Sequence, residues 1–243
     1  MTHRVPRGQR NSVDWHPANC DHCRMGGGKM DDLAVFLVEN VEGYLFEDLE
    51  TLKRATLGEG KTKGAVGYPL LMTTFAGIEL LGSLVSRVPF RPKKGRNRFV
   101  EFWRLYLYDQ DAERAAAGDA LYALARNGLA HVFVGKGDLL VFKDLPDLHL
   151  KRVDNSITID ACQLAVDLRI AYDRKIKPRA VLFGDSLRDT MATRLSEMYA
   201  EYGIQATNAM PKLQLPVVSY DPSSLLTTSG KAVWSAYSST RPL

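Results

Sequence analysis

Arg126, Asn127 and His131 lie within six residues of one another. Together they offer a ring that exchanges protons near neutral pH, a permanent cation with paired N–H donors, and an amide able to orient either. That combination suits proton transfer beside a bound anion. The surrounding run, Leu121-Tyr122-Ala123-Leu124-Ala125-Arg126-Asn127-Gly128-Leu129-Ala130-His131-Val132-Phe133, reads as a helix. At about 100° per residue from Arg126, the residues Leu121, Tyr122, Ala125, Leu129, Val132 and Phe133 gather between roughly 220° and 340°. Asn127 falls near about 100° and His131 near about 140°, so they are i, i+4 neighbours away from the apolar stripe. Arg126 sits on the flank. Spacing alone is a weak signal, because Arg10-Asn11 followed by His16 also satisfies it. Helical phase and context must carry the assignment.

The elements that would position this trio are mostly helical. A first helix is expected from about Asp31 to Leu57, with Leu33, Leu37, Tyr44, Leu45 and Leu52 on one side and Asp31 and Asp32 at its positive end. A Gly- and Lys-rich linker leads to a second helix after Pro69, in which Leu71, Phe75, Ile78, Leu81 and Val85 recur at helical spacing. Gly77 and Gly82 would let another helix approach closely. Glu79 lies inside this apolar run, where a carboxylate needs either a partner or water. The segment Arg91-Pro-Lys93-Lys94-Gly-Arg96-Asn-Arg98 carries five positive charges in eight residues. It reads as a solvated loop and as the strongest phosphate-attracting patch of the chain.

A third helix is expected from Phe99 to about Tyr108, dense in aromatics that suit a core, and the motif helix from near Asp111 to Gly135. The period then changes. Runs at 139–142, 148–153 and 157–159 predict a small antiparallel hairpin or meander. Asp160 starts a helix to about Ile176, broken by Lys177-Pro178, and a last helix runs from Asp185 to Tyr202 with Gly203 as its stop. The expected organisation is a flexible leader over 1–30, a helical domain with a β insert over 31–203, and a Pro/Ser/Thr-rich tail over 204–243. The fold class is mainly α.

Composition sets broad limits. The chain has 243 residues, 45% of them hydrophobic and 25% charged, which is ordinary for a globular protein. The net charge of +4 fits contact with phosphates without demanding it. No run of 18 apolar residues predicts a membrane span, and Met1-Thr2-His3-Arg4 opens no secretory signal. Three cysteines suggest a reduced, cytoplasmic setting. Cys20 and Cys23, with His16 or His22, have half of a zinc-site spacing; the second pair is missing, so a leader with free thiols is favoured over a metal site.

Two other motifs compete and lose on context. Ala55-x-x-x-x-Gly60-Lys61-Thr62 satisfies a relaxed phosphate-loop pattern, but a helix rather than a strand is expected before it. Val181-Leu-Phe-Gly184-Asp185-Ser186-Leu187 looks like the first block of GDSL-type esterases. A serine nucleophile needs a histidine base, and no histidine follows Ser186. Asp185 or Ser186 fits better as a helix cap.

The Arg-Asn-Gly-Leu-Ala-His segment, on a late helix of a helical bundle and followed by Lys136-Gly137 and short strands, resembles the HEPN superfamily of nucleic-acid-targeting domains. The resemblance covers roughly Asp31 to Ile176. It implies a HEPN-like helical bundle and a metal-independent endoribonuclease that needs no cofactor, acts on RNA and forms a homodimer. It also implies a setting in phage defence or toxin–antitoxin biology, with a protein antitoxin as a further partner. Arg126 and His131 would be catalytic with Asn127 assisting, and Glu79 and Tyr122 would support them. Arg91, Lys93, Lys94, Arg96, Arg98 and Lys136 would contact RNA. Other members of the superfamily have lost catalysis, so the alternative is a silent HEPN-like module that binds a protein or nucleic-acid partner. A zinc-stabilised interaction protein using the leader is the third reading. The structural alternative for the motif itself is the polar flank of a packed helix, or a helix end whose carbonyls His131 and Lys136 satisfy.

Overall fold

The computed structural model describes residues 31–56, 66–126 and 139–209. Asp31 opens the first helical stretch by accepting the Ala34 N–H at 2.8 Å, which satisfies one of the orphan donors of a helix start. The stretch comprises α1 (Asp32–Phe36), a π-helical segment (Leu37–Phe46) and α2 (Glu47–Arg54). Next comes α3 (Gly67–Val85), whose Leu70, Leu71, Phe75, Ile78, Leu81 and Leu84 are fully buried. It is long and apolar enough to cross a membrane by length and composition, yet 61% of that window is buried inside the protein, as for a core helix.

The basic segment is not the loop expected. Pro92–Lys94 form a 3₁₀ turn, and α4 already begins at Gly95 (Gly95–Phe102), running into a π-helical segment, Trp103–Leu107. Asp111 then caps α5 (Ala112–Ala116) by accepting the Arg114 N–H at 3.0 Å. After α6 (Gly118–Leu121) the chain enters the π-helical turn Tyr122–Arg126.

The β element also differs from the expected antiparallel meander. Strands β1 (Leu139–Phe142), β2 (Lys151–Val153) and β3 (Ser156–Asp160) form a mixed sheet in the order β1-β3-β2. β2 and β3 make an antiparallel hairpin, but β1 runs parallel to β3, pairing Leu139 with Ile157 and Val141 with Ile159. Antiparallel neighbours need only a tight turn, whereas parallel ones need a crossover. Here residues 143–155 supply the crossover, with Asp144 and Leu150 at positive φ and a 3₁₀ turn at Pro146–Leu148. The intervening β2 lands on the far edge of β3.

Asp160 caps α7 (Ala161–Ala171), accepting the Gln163 N–H at 2.7 Å. A π-helical segment, Tyr172–Ile176, follows, then α8 (Lys177–Ala180). Pro178 therefore does not end the helical path. It stands in the first turn of α8, where its missing N–H costs no hydrogen bond. The last helix, α9 (Ser186–Ala209), passes through Gly203 rather than stopping there. The chain divides into two compact units, Met1–Tyr199 and Ala200–Leu243; the second is described only over its first ten residues, which are helical.

Helix α3 is the centre of the first unit, packed against α4 and α7. Its glycines make those approaches possible: a Cβ on Gly77 would stand 2.9 Å from Leu168 Cδ2, and one on Gly82 would stand 2.6 Å from the Arg98 carbonyl oxygen. Polar ties close the unit. Buried Arg194 donates to the Ser86 carbonyl at 3.0 Å, and Glu197 accepts the Phe90 N–H at 2.7 Å. Tyr172, fully buried, donates to Glu42 at 2.7 Å, which also accepts from Lys177.

Candidate functional site

Arg126 ends the π-helical turn Tyr122–Arg126, while Asn127, His131 and Lys136 lie outside the described residues. The residues that lead into the motif are held by side-chain contacts. The Tyr122 hydroxyl donates to Glu79 Oε1 at 2.9 Å, so the carboxylate inside apolar α3 is partnered by the helix that leads into the motif. Both are half-buried, and the Tyr122 ring packs on Phe99 with centroids 5.1 Å apart. Gly95 crosses directly over this pair. A Cβ there would lie 2.6 Å from Glu79 Oε1 and 3.3 Å from the Tyr122 hydroxyl. The start of α4, and with it the basic segment, is thereby brought against the two residues expected to support the motif.

The basic residues behave differently from one another. Arg91, Lys93 and Lys94 are exposed. Arg96 grips Asp119 through two hydrogen bonds of 2.9 and 2.5 Å, tying the start of α4 to α6 just ahead of Tyr122. That bonding, with the charge of Asp119 behind it, raises the Arg96 guanidinium above its already high range. Arg98 departs from the expectation of an RNA contact. It is 7% exposed, donates to the Arg91 carbonyl at 2.6 Å and stacks 4.6 Å over the Phe90 ring. Helical phase explains this: with α4 starting at Gly95, position 98 turns inward beside Phe99.

The other two motifs have the following local context. A helix, α2, precedes the Ala55–Thr62 pattern, and residues 57–65 lie outside the described residues. Asp185, held by two hydrogen bonds from Arg179, accepts the Leu187 N–H at 2.7 Å and caps α9; Ser186 begins that helix. Among the described residues no group of three His, Cys, Asp or Glu could hold a metal ion. Cys20 and Cys23 lie outside them. The half-buried Cys162 is a free thiol whose pKa burial and then its bond to Asp144 push up to about 11.

One constellation escaped sequence reasoning. His149 Nδ1 accepts the Asp160 N–H at 3.2 Å, and its Nε2 lies 3.0 Å from the Tyr108 hydroxyl. That hydroxyl donates to Asp167 at 2.6 Å, and Gln163 donates to the other carboxylate oxygen at 2.8 Å. Burial opposes the charge on Asp167, but the bonds from His149, Tyr108 and Gln163 outweigh it and hold the carboxyl below its usual range. Burial above all, and then the charge of Asp167, raises the Tyr108 phenol far above its ordinary range. His, Tyr and Asp here have the composition of an acid–base site, yet His149 is only 2% exposed and substrate has no access to it. The network fastens the sheet to α7 and to the chain after the Trp103–Leu107 segment. Its only sequence signal is a histidine set between Leu148 and Leu150.

No protein family, curated protein or solved structure matches the chain.

Proposed function

We propose that the chain is a HEPN-like, metal-independent endoribonuclease that works as a homodimer through Arg126, Asn127 and His131. The observation that supports this best is the junction of Tyr122, Glu79 and Gly95. The 2.9 Å bond from Tyr122 to Glu79 fixes the helix leading into the motif, and Gly95 sets the basic segment against the same carboxylate. Arg91, Lys93 and Lys94 then stand exposed on a segment whose Gly95 abuts Tyr122, as a site for phosphates requires.

In this mechanism a histidine takes the RNA 2′-OH proton as the 2′-oxygen attacks phosphorus, and a second histidine protonates the departing 5′-oxygen. Arg126 stabilises the negative charge that grows on the phosphorane, and Asn127 orients the ring or holds a phosphate oxygen. Each chain supplies one motif histidine, so two copies of the chain would complete the acid–base pair. The setting would be cytoplasmic, in phage defence or a toxin–antitoxin pair with a protein antitoxin.

A second reading has its own observation. With Arg96 engaged by Asp119 and Arg98 buried, the exposed charge of the basic segment is smaller than its sequence suggests. That favours a silent module that binds a partner without cutting RNA. Incubation of purified protein with mixed RNAs in EDTA separates the two. The nuclease reading expects cleavage that His131→Ala reduces by roughly 10²-fold or more. Equal cleavage by both proteins, or none by either, overturns it.

A further inference from the structure

Arg87, Arg174, Lys175 and Arg179 come from two distant stretches of sequence but line one cleft of about 590 Å³, between the end of α3, the segment 101–106 and the helical path 172–180. Glu101 is the lone carboxylate in that lining, while Asp109 and Asp185, outside it, balance Lys175 and Arg179, which leaves Arg87 and Arg174 as the cations without an ion pair among the described residues. Two of the cations are engaged: Lys175 donates to the Tyr106 carbonyl and to Asp109, and Arg179 is bonded to Asp185. Arg87 and Arg174 are exposed, and neither forms an ion pair with a described residue. Like charges gathered round one concavity repel, and the concave wall focuses their field into the space between them. An anion with several acceptor oxygens relieves that repulsion and is bound strongly for the same reason.

Other residues of the lining have a different character. Tyr106 stacks on Phe102 with centroids 5.1 Å apart and rings 12° from parallel, and Leu105 beside it is 57% exposed. The Tyr106 hydroxyl forms no hydrogen bond to a described residue. Burial lifts this phenol above its ordinary range; the charge of Arg179 pulls it back, that of Glu101 raises it and that of Arg87 lowers it, as expected when these groups share one space. Cations, the exposed Leu105 and the half-buried Tyr106 within one cleft suit a ligand with a phosphate at one end and a flat ring at the other. The volume lies within the range of small-molecule sites, which favours one nucleotide unit over an extended strand. None of the lining residues belongs to the Arg126–His131 motif or its supports.

We infer that this cleft binds a nucleoside phosphate, with its phosphoryl group on Arg87 and Arg174, backed by Arg179 and Lys175, and its base against Tyr106 and Leu105. A free nucleotide and the 5′-phosphorylated end of an RNA share that chemistry. The inference does not depend on the nuclease reading, because its test measures binding alone.

Calorimetric titration of the full chain uses adenosine diphosphate, adenosine, inorganic phosphate, and an uncleavable 2′-O-methyl tetranucleotide with and without a 5′-phosphate. Adenosine diphosphate or the phosphorylated tetranucleotide is expected to bind with a Kd of about 10–100 μM. The double variant Arg87→Ser/Arg174→Ser should weaken that by about tenfold or more and leave the thermal midpoint unchanged, since both side chains are exposed. Leu105→Ser should weaken binding without changing its salt dependence. Tighter binding of the free nucleotide identifies a nucleotide site; tighter binding of the tetranucleotide, lost without its 5′-phosphate, identifies an RNA-end site. Saturation by neither below about 1 mM overturns the inference, as does undiminished binding by the double variant. Equal affinity for inorganic phosphate and adenosine diphosphate overturns the role given to Tyr106 and Leu105.

Discussion

Gly82 is a point of close backbone approach in the α3–α4 crossing, and replacing it with alanine puts two effects in opposition. The added Cβ would stand 2.6 Å from the Arg98 carbonyl oxygen, 3.1 Å from the carbonyl carbon and 3.1 Å from Phe102 Cβ. These are backbone atoms and the root of a fully buried side chain, so no rotamer change relieves the overlap. The two helices would have to move apart by several tenths of an ångström, loosening the Phe75–Phe99 contact at 5.0 Å. Overpacking costs about 1–3 kcal/mol, and about 2–3 where the clash is with backbone as here, while alanine gains about 1 kcal/mol in helix propensity. A net loss of about 1–2 kcal/mol is expected, a few degrees in Tm for a chain of this length. Gly203 provides the control, since a Cβ there meets nothing within 4 Å and the residue is also helical. Gly203→Ala should stabilise by about 0.5–1 kcal/mol wherever its helical segment melts with the rest. Urea and thermal denaturation followed by circular dichroism measure both. If Gly82→Ala proves as stable as the parent or more so, α3 and α4 do not cross where the packing argument requires.

Other predictions concern the buried polar groups. Asp167 has a folded pKa below its ordinary value, so its contribution to stability is present above the unfolded pKa near 4 and is lost as pH falls through the depressed folded value. Urea midpoints measured from pH 6 to pH 2 should therefore fall more steeply for the parent than for Asp167→Asn, which should already be weaker at pH 7; parallel curves would contradict the network. With its thiol near pH 11, Cys162 should react with iodoacetamide at pH 8 roughly a hundredfold more slowly than free cysteine. That rate is measured in a Cys20→Ser/Cys23→Ser variant, and alkylation at the free-cysteine rate would refute the assigned environment. Tyr122→Phe removes the hydroxyl that ties the motif helix to Glu79 and should cost about 1 kcal/mol of stability. On RNA it should lower kcat several-fold with little change in KM, whereas unchanged kcat would separate the Tyr122–Glu79 bond from catalysis.

Much of the scaffold is visible in the chain because its signals are local. Asp31, Asp111, Asp160 and Asp185 are short acceptors ahead of apolar periodicity, and each caps the helix it precedes. The apolar spacing of α3 and its two close-approach glycines could be read for the same reason. The parallel pairing of β1 could not, because it depends on where residues 143–155 carry the chain and the period of a strand is identical in either direction. The inward turn of Arg98 was hidden by a local run of charge that masked the true start of α4. The partner of Glu79 lies 43 residues away on Tyr122, and the His149–Asp167 network joins three separate elements. Such long-range ties leave no periodic trace. The cationic cleft is hidden likewise, since its four charges come from two distant stretches of sequence.

Arg126, Asn127 and His131 are proposed to cut RNA without metal by way of the 2′-hydroxyl. End analysis of products formed in EDTA tests this most directly, using an oligoribonucleotide beside a copy with a single 2′-deoxy residue at the cleaved position. The mechanism predicts 2′,3′-cyclic phosphate and 5′-hydroxyl ends, no cleavage at the deoxy position, and loss of both products in His131→Ala. Cleavage of the deoxy copy, or 5′-phosphate ends that persist in His131→Ala, would contradict it.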